Sequence, residues 1–149
     1  MLSIIEKVLL LQEVEILQSV STEHLSYLAQ ITDEIDFHKN DSIYHEGDIA
    51  DALYVVISGE VIIHRNNQKL LTAGPKSAFG IWALFDEDER VVSAVCASSC
   101  RLLCLAKEDF HDVLADHSEI SRSVLSAMAK RLRSLIDRVR LPGTTAPNS

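Results

Sequence analysis

Residues 79–94 read F-G-I-W-A-L-F-D-E-D-E-R-V-V-S-A, and the reading of the whole chain turns on them. Gly80 has no Cβ, so a backbone or ligand can come closer there than at any other residue type. Ile81 to Leu84 form an apolar turn that would open a short helix, whose first amides have no partner within the helix. After the carboxylates Asp86, Glu87, Asp88 and Glu89 comes Arg90, whose planar guanidinium offers paired donors in a fixed fork. Free amides and a fork of this kind are the donors that a desolvated anion needs.

Phe79, Gly80, Ala83, Leu84 and Arg90 fall in the order of a phosphate-binding cassette. The stretch resembles the one in the cyclic nucleotide-binding family, which includes the sensor halves of catabolite activator-type regulators. The resemblance implies a cyclic phosphate held by the turn amides and by Arg90, with cAMP or cGMP as the ligand. It makes Phe79, Gly80, Ile81, Trp82, Ala83, Arg90, Val91 and Val92 the candidate ligand-binding residues. Two positions depart from the family pattern. Ile81 stands where the family has a glutamate that accepts a hydrogen bond from the ribose 2'-hydroxyl. Val91 stands where many bacterial members have a serine or threonine that adds a hydroxyl to the phosphate cage. A hydrogen bond to a charged acceptor is worth about 1.5–3 kcal/mol, so losing the glutamate alone weakens a nucleotide by about ten- to a hundredfold.

The acidic loop has two readings, a solvated turn or a set of carboxylates that pair with Arg90 themselves, and charge runs are mostly solvated. Trp82, the sole tryptophan, either packs in the core, the expectation preferred here, or fills part of the pocket and stacks on a base.

A 149-residue chain with 47% hydrophobic and 24% charged residues is long and apolar enough for one folded domain. No apolar run is long enough to span a bilayer, and Glu6 and Lys7 interrupt the opening M-L-S-I-I-E-K-V-L-L-L, so a cytoplasmic protein without membrane insertion is expected. The net charge of -8 argues against binding nucleic acid by phosphate neutralisation. The charge is uneven: residues 118–141 carry +4 and the remainder -12. That contrast would orient the segment against an acidic partner or its own domain, or simply make a solvated face.

Cys96, Cys100 and Cys104 recur every four residues, but in β-branched and apolar runs that read as two strands joined at Ser98-Ser99. Alternation then puts Cys100, Leu102 and Cys104 on one face as small hydrophobes, and the paired spacing of a zinc site is missing. His38, His45 and His64 are too scattered for a cupin-type metal site, and no nucleophile–base constellation stands out. The chain reads as non-enzymatic.

Residues 3–18 read as a helix with a stripe of Ile5, Val8, Leu9, Gln12 and Ile16 that lacks a partner. Ser21 can cap a second helix, with Leu25, Leu28 and Ala29 facing inward. From Asp33 to Ala106 short alternating runs are broken at Asn40, Gly47, Gly59, Asn66-Asn67 and Gly74-Pro75, the pattern of a sandwich or jelly roll. Phe110 to Ala115 is a short helix. Ser118 starts a long one with Ile120, Val124, Ala127, Met128, Leu132, Leu135, Ile136 and Val139 on one face, ending at Pro142-Gly143.

The expected architecture is mainly β with flanking helices, a jelly roll of the cyclic nucleotide-binding type. Residues 1–20 form an N-terminal helix or linker, 21–117 the sensor domain, 118–141 an amphipathic helix and 142–149 a polar tail. The helix-turn-helix of the full regulators is not present, so direct nucleic-acid binding is not expected. The terminal helices instead suggest a homodimer or an attached output domain in a longer polypeptide. Two functions stay open: a sensor with a degenerate cassette and weak or absent nucleotide binding, or a working cAMP/cGMP switch that moves the last helix.

Overall fold

The computed structural model describes residues 1–85 and 88–139. Its centre is two four-stranded antiparallel sheets. The first sheet joins β1 (Asp33–Phe37), β8 (Cys100–Ala106), β3 (Ala52–Ser58) and β6 (Ala78–Phe79), in that order. The second joins β2 (Ser42–Tyr44), β7 (Ser93–Cys96), β4 (Val61–Arg65) and β5 (Gln68–Ala73). The two sheets form the expected jelly roll. Its turns use the residues that tolerate a left-handed backbone: Asn40, Gly47, Gly59, Asn66 and Asn67 all have positive φ. At Gly74-Pro75 the left-handed position falls instead on Lys76, φ 74°.

The first sheet is a middle layer. On one side Val56, Phe79 and Leu102 meet Tyr44, Val61, Ile63 and Ala94 of the second sheet. On the other, Leu53, Val55, Leu103 and Leu105 pack under the helices, against Leu11, Leu17, Leu28, Phe110 and Ile120. β3 and β8 are therefore apolar on both faces, which is why the sequence of β8 shows no clean alternation.

β7 and β8 lie where expected, but the Ser98-Ser99 turn carries the chain from one sheet to the other instead of closing a hairpin. Cys96 and Cys100 sit between the sheets, and Cys104 is half-buried opposite Tyr54. Burial pushes the Cys104 thiol up to about 11, with Asp33 and Asp51 adding to the shift, and burial likewise raises Cys96. A thiol raised above its unfolded value keeps its proton after the unfolded chain has lost it. Its stabilising contribution is thus intact below about pH 9 and fades as pH climbs towards 11. We expect slow labelling of the native thiols at pH 8, and a urea midpoint that falls between pH 9 and 11 less steeply in Cys104→Ala.

Four helices cover the middle sheet. α1 runs Ile4–Gln12, with a capping box between Ser3 and Glu6. The helix expected over 3–18 stops there, and a 3-10 turn, Glu15–Leu17, follows. Leu11, Val14, Ile16 and Leu17 are buried; of the expected stripe Ile16 is in the core and Val8 packs against it, while Ile5 and Leu9 are exposed. α2 (Thr22–Gln30) is capped by Ser21, whose hydroxyl accepts from the His24 amide at 3.2 Å, and buries Leu25, Leu28 and Ala29.

α3 (Lys107–Asp116) is longer than expected, and α4 runs Ser118–Arg138. His117 alone separates them, serving as the last cap of one and the first of the other. Its ring stacks on Tyr27 of α2 at 4.1 Å, with His24 5.9 Å away. Only the first half of α4 is seated, through Ile120 and Val124, while Leu132, Leu135, Ile136 and Val139 are exposed. Arg131 ties α4 to Glu15, so part of its positive charge meets the chain's own domain. The expected stop at Pro142-Gly143 and the polar tail lie outside the described residues. No described helix is long and apolar enough to cross a membrane.

Candidate functional site

Arg90 is placed by backbone pairing before its side chain makes any contact. Its amide donates to Asp48 O (2.7 Å) and its carbonyl accepts from Gly47 N (2.8 Å), which joins the loop before β3 to the segment after the acidic turn. The isolated bridge between Ile49 and Glu89 continues the join. The side chain then runs inward, leaving Arg90 only 7% exposed. Nη2 donates to Ala52 O at 2.6 Å and Nη1 to Gly80 O at 3.4 Å, while Cζ lies 4.0 Å from the centre of the Tyr44 ring. Nε is buried without a hydrogen-bond partner among the described residues. A buried guanidinium is costly unless paired, so an orphaned N–H on it marks a place where an acceptor would be stabilised. Burial raises the Tyr44 hydroxyl above its usual value, and Arg90 pulls against that shift.

Gly80 is in the left-handed region (φ 74°) and caps a single 3-10 turn, Ile81–Leu84. The expected short helix is this one turn, so it supplies local N–H groups and little summed dipole. A Cβ on Gly80 would lie 2.7 Å from Arg90 Nη1 and 3.1 Å from Ala52 O. The glycine is what lets the guanidinium approach the turn.

All eight residues singled out in the sequence line one cavity of about 310 Å³. Phe79 and Ala83 are buried in its wall, and Ile81 and Val92 are half-buried. Val91 is exposed at the mouth. Trp82 corrects the preferred expectation: it is 68% exposed on the rim and does not pack in the core. The left-handed entry at Gly80 aims the turn so that Ala83 and Leu84, and not Trp82, face inward.

The cavity also takes in Tyr44 and Ala50, which the sequence reading did not single out, together with Asp88 and Glu89 of the acidic turn. Tyr44 lies far upstream of Arg90 and is brought to it by the pairing of β2 with β7. An aromatic at the end of a strand, just before the Glu46-Gly47-Asp48 break, was the available signal. Asp88 and Glu89 are exposed.

The cassette turn also touches the helices. His111 of α3 lies 2.7 Å, through Nε2, from Leu84 O, and Phe85 meets Phe110 edge-on at 5.9 Å. One helix turn thus joins the cavity wall to the core beneath α4.

Residues 34–117 match the family model described as "Cyclic nucleotide-binding domain". The chain is 32% identical over 123 residues to a CRP-like cAMP-activated global transcriptional regulator of Mycobacterium tuberculosis, covering 79% of this chain and 55% of that protein. It is 34% identical over 96 residues to the cyclic AMP receptor protein of Thermus thermophilus, covering 61% of this chain and 44% of that one. The chain therefore spans about half the length of these curated relatives. Among solved structures, the N-terminal domain of a transcriptional regulator from Streptomyces coelicolor A3(2) superposes with a TM-score of 0.82 at 28% identity, covering 89% of this chain and 98% of that one.

Proposed function

Because the chain belongs to the cyclic nucleotide-binding domain family, a regulatory fold, we propose that it is a sensor domain whose cassette has lost the ability to read a ribose. Weak or absent cAMP and cGMP binding follows. The observation that carries this reading is the contrast inside one cavity. Arg90 and Gly80 still face each other, but the wall beside them presents the Ile81 side chain, and the position after the arginine presents Val91 to solvent. An isoleucine cannot accept from a sugar hydroxyl, and a hydroxyl buried against it would go unpaired.

A switch driven by a ligand needs different affinities for two states, and a ligand that barely binds supplies too little free energy to shift them. The exposed distal face of α4 supports regulation through contact with a second copy or an output domain.

Calorimetric titration with cAMP and cGMP up to millimolar concentration is expected to show no saturable micromolar binding. Ile81→Glu is expected to gain about ten- to a hundredfold in affinity, the worth of one hydrogen bond to a charged acceptor. Micromolar binding by the unaltered chain would overturn the reading in favour of the nucleotide switch.

A further inference from the structure

We propose that the Arg90 cavity takes an apolar carboxylate, an aryl or alkyl acid, in place of a sugar phosphate. The inference rests on the reading above, that the sugar acceptor is gone, and adds what chemistry the remaining site fits.

Apart from Arg90 and the two exposed carboxylates, the lining is apolar or aromatic: Tyr44, Phe79, Ile81, Trp82 and Val92 among others. Among the described residues no serine, threonine, asparagine or glutamine lines it, so a hydroxyl-rich or purine-edged ligand would find few partners. An apolar body would instead cover Trp82 and Val91, which stand in water at 68% and 66% exposure on the cavity mouth. Large exposed apolar side chains rimming a concave site mark a surface that is covered when the site is filled. A volume of about 310 Å³ admits a small organic acid and lies at the lower end of known small-molecule sites, roughly 300–1,000 Å³.

The acid group has its own anchor. Nη1 and Nη2 of Arg90 each donate to a backbone carbonyl, while Nε, on a side chain more than nine-tenths buried, lacks a partner among the described residues. A carboxylate brought against the guanidinium would neutralise the one cation of the described lining, and the two groups match in a side-on, paired geometry.

The test follows Trp82, the only tryptophan, by fluorescence. The full chain is titrated with 3-phenylpropionate, octanoate, 3-phenylpropionamide, cAMP and cGMP. The expected result is a saturable change with the two acids, and binding weaker by about tenfold or more for the amide, which keeps the apolar body and loses the charge. In Ile81→Glu, which leaves Arg90 and its backbone contacts in place, the acids are expected to weaken by about tenfold through like-charge repulsion. Equal binding of acid and amide would overturn the inference. So would no response to either acid, and in that case the loss of ribose reading would still stand. Micromolar cAMP binding by the unaltered chain would overturn both.

Discussion

Phe110→Ala is expected to cost about 3–5 kcal/mol of folding stability, the range for removing a fully buried aromatic from a core. Phe110 is completely buried in the cluster that holds α1 to α4 on the middle sheet, and it meets Phe85 edge-on immediately after the cassette turn. For a domain with a total of about 5–15 kcal/mol, that is about a fifth or more of what holds it folded. Urea unfolding provides the measurement. Leu135→Ala, on the exposed half of α4, provides the contrast and is expected to stay within about 0.5 kcal/mol of the parent. If both variants unfold at similar denaturant concentrations, the placing of Phe110 inside the core and of Leu135 outside it is wrong. Because the same helix turn carries His111 against Leu84 O, the variant is also expected to loosen the cavity wall, seen as altered Trp82 emission below the unfolding transition.

Gly80→Ala is expected to destabilise the domain for two separable reasons. A non-glycine residue held at positive φ costs about 1–2 kcal/mol, and Gly80 has φ 74°. The new Cβ would also sit 2.7 Å from Arg90 Nη1, forcing the guanidinium off the Gly80 and Ala52 carbonyls. Losing a buried hydrogen bond from a charged donor adds about 1.5–3 kcal/mol. Gly47→Ala separates the two effects. Gly47 has φ 89°, but a methyl group there would meet nothing within 4 Å, so that variant carries the backbone cost alone. The difference between the two midpoints reports the displaced arginine. Equal losses would show that the guanidinium does not depend on the missing side chain at Gly80.

The breaks between strands could be read because their punctuation is chemical. Asn40, Gly47, Gly59 and Asn66-Asn67 sit at breaks in the pattern, and each adopts the backbone that its residue type tolerates best. The N-terminal stripe was legible only in part: Val8 and Ile16 meet the core but Ile5 and Leu9 do not, and a helix that stops at Gln12 and is followed by a 3-10 turn does not carry one period through residues 3–18. Arg90 and Gly80 were legible as a pair because they lie ten positions apart in one segment. Tyr44 was not, because its place over the guanidinium depends on strand pairing between distant segments. Trp82 defeats a general rule, that large aromatics bury, for a local reason: the left-handed step at Gly80 turns it outward.

The single residue between α3 and α4 makes the last helix a lever with a very short fulcrum. With 21 residues beyond His117, at about 1.5 Å each, the arm is roughly 30 Å long. A rotation of about 10° at His117, carrying the seated Ile120 and Val124 with it, would therefore sweep the far end through about 5 Å, a full helical pitch. Small adjustments at the Tyr27 stack would be magnified at Ile136 and Val139, where the helix is not seated on the domain.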